Sequence, residues 1–150
     1  VTNPATKLIA NGICQPKKKI LPEEMNLEQI DHLAISCTDP ERSKDWYTQV
    51  LGFEHIYQGK WNGLPIFLKL GSTALVLFPE SHSSRLQPNP AKGISHFALL
   101  AKTLNEFQTA QQELESFRIK VEFQDHDISH SIYFNDPDGH RLEITTYDVT

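Results

Sequence analysis

The chain has little of what marks a specialised class. Two cysteines, Cys14 and Cys37, in 150 residues form neither a disulfide framework nor a CxxC pair. A reducing cytoplasm is the compartment this implies. No apolar run is long enough to cross a bilayer, and the start lacks a charged segment followed by an apolar one, so no membrane partner is expected. Excess positive charge is absent as well. The formal net charge is -5 and the basic run Lys17 to Lys19 is only three residues long, which gives no electrostatic reason to expect nucleic acid. What remains is ordinary: 39% hydrophobic and 22% charged residues, the composition of a globular domain. A chain of this length can bury roughly two thirds of its unfolded surface in one core.

Residues 1–26 stand apart. They carry Pro4, Pro16 and Pro22 and show little periodicity, so they read as an N-terminal extension, with a single folded unit over 27–150. Within that unit the sequence repeats. Ile30-Asp31-His32-Leu33-Ala34-Ile35 returns as Ile94-Ser95-His96-Phe97-Ala98-Leu99, and each copy alternates as a strand does. A helix start follows each time. Thr38-Asp39-Pro40-Glu41 and Thr103-Leu104-Asn105-Glu106 both have the T-x-x-E form of a capping box. Apolar stripes follow, Trp46, Tyr47, Val50 and Leu51 before Gly52, then Phe107, Ala110, Leu114 and Phe117. Three strands are expected after each helix: 53–57, 65–70 and 73–78, then 121–124, 131–135 and 141–147. Asp136-Pro137-Asp138-Gly139 turns between the last pair. The chain thus reads as two βαβββ modules, about 27–80 and 93–149, joined by a Ser- and Pro-rich linker.

His32 and His96 hold the same repeat position, and paired modules bring equivalent positions together. Glu143 alternates onto one face of its strand with Arg141, Thr145 and Tyr147. A carboxylate in mid-strand is costly to bury unless paired or bound to a cation. Two imidazoles and one carboxylate make a facial triad with open coordination positions, compatible with Fe(II), Mn(II), Ni(II), Co(II) or Zn(II). The rival reading is a pair of hydrogen-bonded strand histidines and a Glu143 paired to Arg141 or Arg118. His55, His82 and His140 fall in or beside turns and read as surface residues. His126 and Tyr133 are candidates for acid or base work beside the triad, with core packing the alternative for Tyr133.

These segments, together with Trp46-Tyr47, Leu51-Gly52-Phe53 and the run from Tyr133 through Asp136-Pro137-Asp138-Gly139 to Glu143, resemble the vicinal oxygen chelate superfamily. That group contains glyoxalase I, bleomycin-resistance proteins, fosfomycin-resistance proteins and extradiol dioxygenases. The resemblance covers nearly the whole chain after residue 27. It implies an α+β fold in which two tandem βαβββ modules form an incompletely closed eight-stranded barrel. It also implies a homodimer, sometimes with exchanged modules, and one divalent metal on His32, His96 and Glu143 that chelates adjacent oxygens of a small-molecule substrate. Glyoxalase-type sites carry a further Glu where this chain has Val76, which disfavours a lactoylglutathione lyase. The extradiol pattern is nearly met by His126, Tyr133 and Glu143, although Ser72 or Thr73 replaces a family histidine. The fosfomycin pattern has a threonine where Ala34 stands. The expectation is a metal-dependent enzyme with dioxygenase-like chemistry ranked first. A fosfomycin-type transferase or glyoxalase-like lyase or isomerase stands as the alternative, and a non-catalytic drug-binding protein as the rival from another class.

Overall fold

The computed structural model describes residues 29–83 and 93–149. The expected 1–26 extension and most of the linker lie outside the described residues. Strand β1, His32–Cys37, leads to helix α1, Pro40–Leu51, then to β2, Glu54–Ile56, β3, Ile66–Leu70, and β4, Thr73–Pro79. A short helix α2, Glu80–Ser83, follows. The second module repeats the plan with β5, Phe97–Leu100, α3, Leu104–Ser116, β6, Glu122–Asp125, β7, His130–Asn135, and β8, Arg141–Thr146. Each module forms a four-stranded sheet, ordered β1-β4-β3-β2 and β5-β8-β7-β6, with the first strand parallel to the last and the others antiparallel. The paired α+β modules expected from the repeat are what forms, and the two sheets do not close on one another.

Helix ends show why the boundaries fall where they do. At α3 the capping box forms: the Thr103 side chain accepts from Glu106 N, and the Glu106 side chain accepts from Thr103 N. At α1 it does not. Pro40 takes the first helical position, so Asp39 becomes the cap and its Oδ1 accepts from the amides of Glu41 and Arg42 at 3.1 Å each. Thr38 N is drawn off to Asp138 Oδ1 of the other module. Gly52 ends α1 at φ 70, a left-handed conformation that costs glycine nothing. Phe117, expected in the α3 stripe, instead caps that helix and is exposed, because α3 stops at Ser116.

The period-two pattern sorts each strand. Leu33, Ile35, Leu68, Leu75 and Leu77 face the helices in module one, as do Phe97, Ile132, Phe134, Leu142 and Ile144 in module two, in one apolar cluster with Tyr47, Phe107 and Leu114. Burying a side chain such as Leu68, fully inaccessible here, contributes roughly 1.5–3 kcal/mol. The opposite sheet faces carry His32, Ala34, Phe67 and Val76 in one module, and His96, Ala98, Tyr133 and Glu143 in the other.

The Asp136–Gly139 turn fastens the modules together. Gly139 N donates to Asp136 O at 3.1 Å, closing the turn. Asp136 Oδ1 accepts from Asp138 N and His140 N, and Oδ2 accepts from the buried Tyr47 hydroxyl at 2.8 Å. Asp138 accepts from Arg42 and from Ser43 of α1. Its carboxyl is opposed by burial, yet donors from Thr38 and Ser43 and the Arg42 charge hold it below the usual carboxylate range. His140 is not the free surface residue its turn position suggested. Its Nε2 reaches Ser36 O of β1 at 2.8 Å, across the module boundary.

Candidate metal centre

Strand register places the residues of interest in equivalent pairs. Ala34 faces Val76 across β1–β4, as Ala98 faces Glu143 across β5–β8. Phe67 faces Val76 as Tyr133 faces Glu143. Val76 therefore stands where module two has Glu143, in agreement with the alignment of the repeats.

In module two, His96 Nε2 lies 2.9 Å from Glu143 Oε2. The carboxylate is buried, with 8% of the residue exposed, so its charge needs partners. Ser131 Oγ supplies one by donating to Oε1 at 2.6 Å. Ser95 Oγ lies 2.8 Å from His96 Nδ1, which turns Nε2 toward Glu143. Module one repeats the device: Asp31 Oδ2 lies 2.8 Å from His32 Nδ1. Fixing the far ring nitrogen of an imidazole is how ligating histidines are oriented. Arg141 pairs with Glu122 at 3.1 Å and does not take up Glu143.

His32 does not join His96 and Glu143 within one chain. Among the described residues, no three His, Cys, Asp or Glu side chains converge on a point that could hold a cation. Its imidazole instead stands edge-on to Phe67, with ring centroids 6.1 Å apart.

Tyr133 belongs to the His96 face, not to the core cluster. Its ring stands edge-on to His96 at 5.6 Å, the Arg141 guanidinium lies 4.7 Å above it, and His126 Nε2 lies 3.3 Å from its hydroxyl. His126 is brought there by the β6–β7 turn, where Asp127 adopts a left-handed φ of 66 and donates its amide to Asp125. Burial and the Glu143 carboxylate push the Tyr133 phenol above its ordinary value, so it is protonated at neutral pH. Sequence reasoning missed Ser131, Ser95 and Asp31. The last two precede each repeat histidine, and that shared polar neighbour was a readable signal. Ser131 could be found only from the β7–β8 register.

The sequence model of the Glyoxalase/Bleomycin resistance protein/Dioxygenase superfamily matches residues 29–144. The chain belongs to that superfamily. Its relatives include a Bacillus subtilis catechol-2,3-dioxygenase, 28% identical over 77% of this chain; the chain spans only 40% of that protein's length. A metallothiol transferase FosB of Staphylococcus epidermidis is 28% identical over 81% of this chain and 84% of its own. Among solved structures, a lactoylglutathione lyase from Agrobacterium tumefaciens superposes with a TM-score of 0.67. It is 26% identical, with 81% of this chain and 96% of that one covered. Membership fixes the fold and a group of mostly enzymatic relatives whose reactions differ. No helix among the described residues is long and apolar enough to cross a membrane.

Proposed function

We propose that this superfamily member is a metal-dependent enzyme acting on a small molecule with two adjacent oxygens, and that dioxygenase-type chemistry is its reaction. The observation that carries the reading is the buried Glu143 carboxylate facing His96 Nε2, with the outer atoms of both groups already held by Ser131 and Ser95. The donor set fits a divalent ion such as Fe(II), Mn(II) or Zn(II). His96 and Glu143 of one copy would supply two ligands. The half-exposed His32 of a second copy, oriented by its own Asp31, would supply the third across an isologous homodimer. When bound, such an ion supplies Lewis-acid charge to chelated substrate oxygens.

The chain's own residues then do the rest. Tyr133, protonated, offers a hydroxyl hydrogen to an oxygen of the substrate. His126 Nε2, within reach of that hydroxyl, can hold or return the proton. Ser131 holds Oε1 of Glu143, so that Oε2, which faces His96 Nε2, would take the ligand role.

The test is elemental analysis of the isolated protein, then anaerobic iron loading and oxygen uptake on a panel of catechols. Stoichiometric metal that is lost in Glu143→Ala, with uptake in the wild type, is the expected result. Metal without uptake would shift the reaction to transferase or lyase chemistry, and no metal at all would overturn the reading. Mixing His32→Ala with Glu143→Ala subunits should restore about a quarter of the sites, because half the dimers then hold one intact triad.

A further inference from the structure

The two modules have diverged at matching positions. Where module two places Tyr133, Glu143 and Arg141, module one places Phe67, Val76 and an aromatic group on the same sheet face. Trp61 lies over Phe67 with centroids 5.0 Å apart and an interplanar angle of 31°. Tyr57 stands edge-on to Phe67 at 5.7 Å and to Trp61 at 6.1 Å. His32 touches the same Phe67 ring. Although they pack on one another, Tyr57 and Trp61 remain 60% and 55% exposed.

The segment that presents them is held in an unfavourable backbone. Tyr57 and Trp61 have φ of 55 and 50, in the left-handed region that bulky residues with a Cβ avoid. Such strain persists where the surrounding structure imposes it, and it clusters at ligand sites. Here the strained turn buries neither ring. It leaves both exposed, and Tyr57 lines a cavity of about 320 Å³ together with Phe67, Ile56, Asp31, Lys69 and Ser72, within the size range of small-molecule pockets. Trp61 joins it through its contact with Phe67. Asp31, which orients His32, forms part of that wall.

We infer that Tyr57, Phe67 and Trp61 form a shelf for a flat aromatic ring of the substrate, set beside the His32 ligand position. Module two then supplies the polar chemistry and module one the ring recognition. The inference rests on the proposed metal site in one respect only: the adjacent oxygens of the ligand would meet the metal while its ring meets the shelf. An arene packs against Phe67 and Tyr57 edge-to-face or offset, the arrangements aromatic pairs prefer.

The test is calorimetric titration of 4-nitrocatechol and of oxalate, which has adjacent oxygens and no ring, into Zn(II)-loaded and metal-stripped protein. Tyr57→Ala and Trp61→Ala alter exposed side chains and should fold as the wild type does. Both should weaken 4-nitrocatechol about tenfold and leave oxalate unchanged, with Tyr57→Phe close to wild type. No binding of 4-nitrocatechol, equal affinity in variants and wild type, or a parallel loss for oxalate would overturn the shelf. So would sedimentation showing that the alanine variants dissociate without ligand, because the rings would then cover a second copy. Ring binding that needs Trp61 but no metal, with oxalate silent, would uphold the shelf and overturn the metal reading.

Discussion

Replacing Tyr47 by Phe removes a single oxygen from the junction of the modules. The ring stays, packed edge-on against Trp46 and Phe53, so no cavity opens. What is lost is the 2.8 Å hydrogen bond to Asp136 Oδ2. Both residues are buried, at 0% and 6% exposed, so water cannot readily replace the donor. A hydrogen bond to a charged group in such a place contributes about 1.5–3 kcal/mol. At about 2 kcal/mol, a domain of this size should melt roughly 6–10 °C lower. Equilibrium urea unfolding followed by circular dichroism and tryptophan fluorescence would measure it, with the midpoint falling and the slope unchanged. Asp136→Asn should cost less in the Tyr47→Phe background than in the wild type, since the two share one contact. A loss below about 0.5 kcal/mol for Tyr47→Phe would refute the reasoning and show that α1 and the Asp136–Gly139 turn are not fastened through this bond.

Further outcomes follow from the same geometry. Ser131→Ala should lower metal affinity about 10–100-fold in a chelator competition, since it frees Glu143 from its 2.6 Å donor. Asp31→Ala should do likewise through His32, and unchanged affinity would separate that residue from the site. The Asp138 carboxyl is lower in the folded chain than in the unfolded one. Its contribution is therefore complete above the ordinary carboxylate value near pH 4 and is lost as pH falls through the folded value. Asp138→Asn should accordingly flatten the decline of stability in acid, read from urea midpoints between about pH 5 and 3. Leu68→Ala, at a position with no exposed surface, should cost about 2–5 kcal/mol in the same assay.

Much of the architecture was written locally. The repeat around His32 and His96, the alternation of β1, β4, β7 and β8 and the Thr103–Glu106 capping box depend on near neighbours and on period, which one strand or turn expresses by itself. Thr38 lost its capping role to Asp39, because Pro40 favours the first helical position and Asp138, distant in sequence, claims the Thr38 amide. His140 looked like a turn residue until the second module was laid against β1. Tyr57 and Trp61 adopt left-handed backbone that no propensity forecasts.

The sequence by itself determined two βαβββ modules and the residue types able to bind a cation, because side-chain periodicity selects which groups share a sheet face. Only the tertiary structure decided which of them meet. It joined Glu143 to His96 through the β5–β8 register and added Ser131 from β7. It turned the Asp-Pro-Asp-Gly turn into a clasp on α1, and it kept His32 against Phe67 of its own module, away from Glu143. Those outcomes depend on contacts between residues far apart in the chain, whose geometry is fixed by packing whole modules and not by any local pattern.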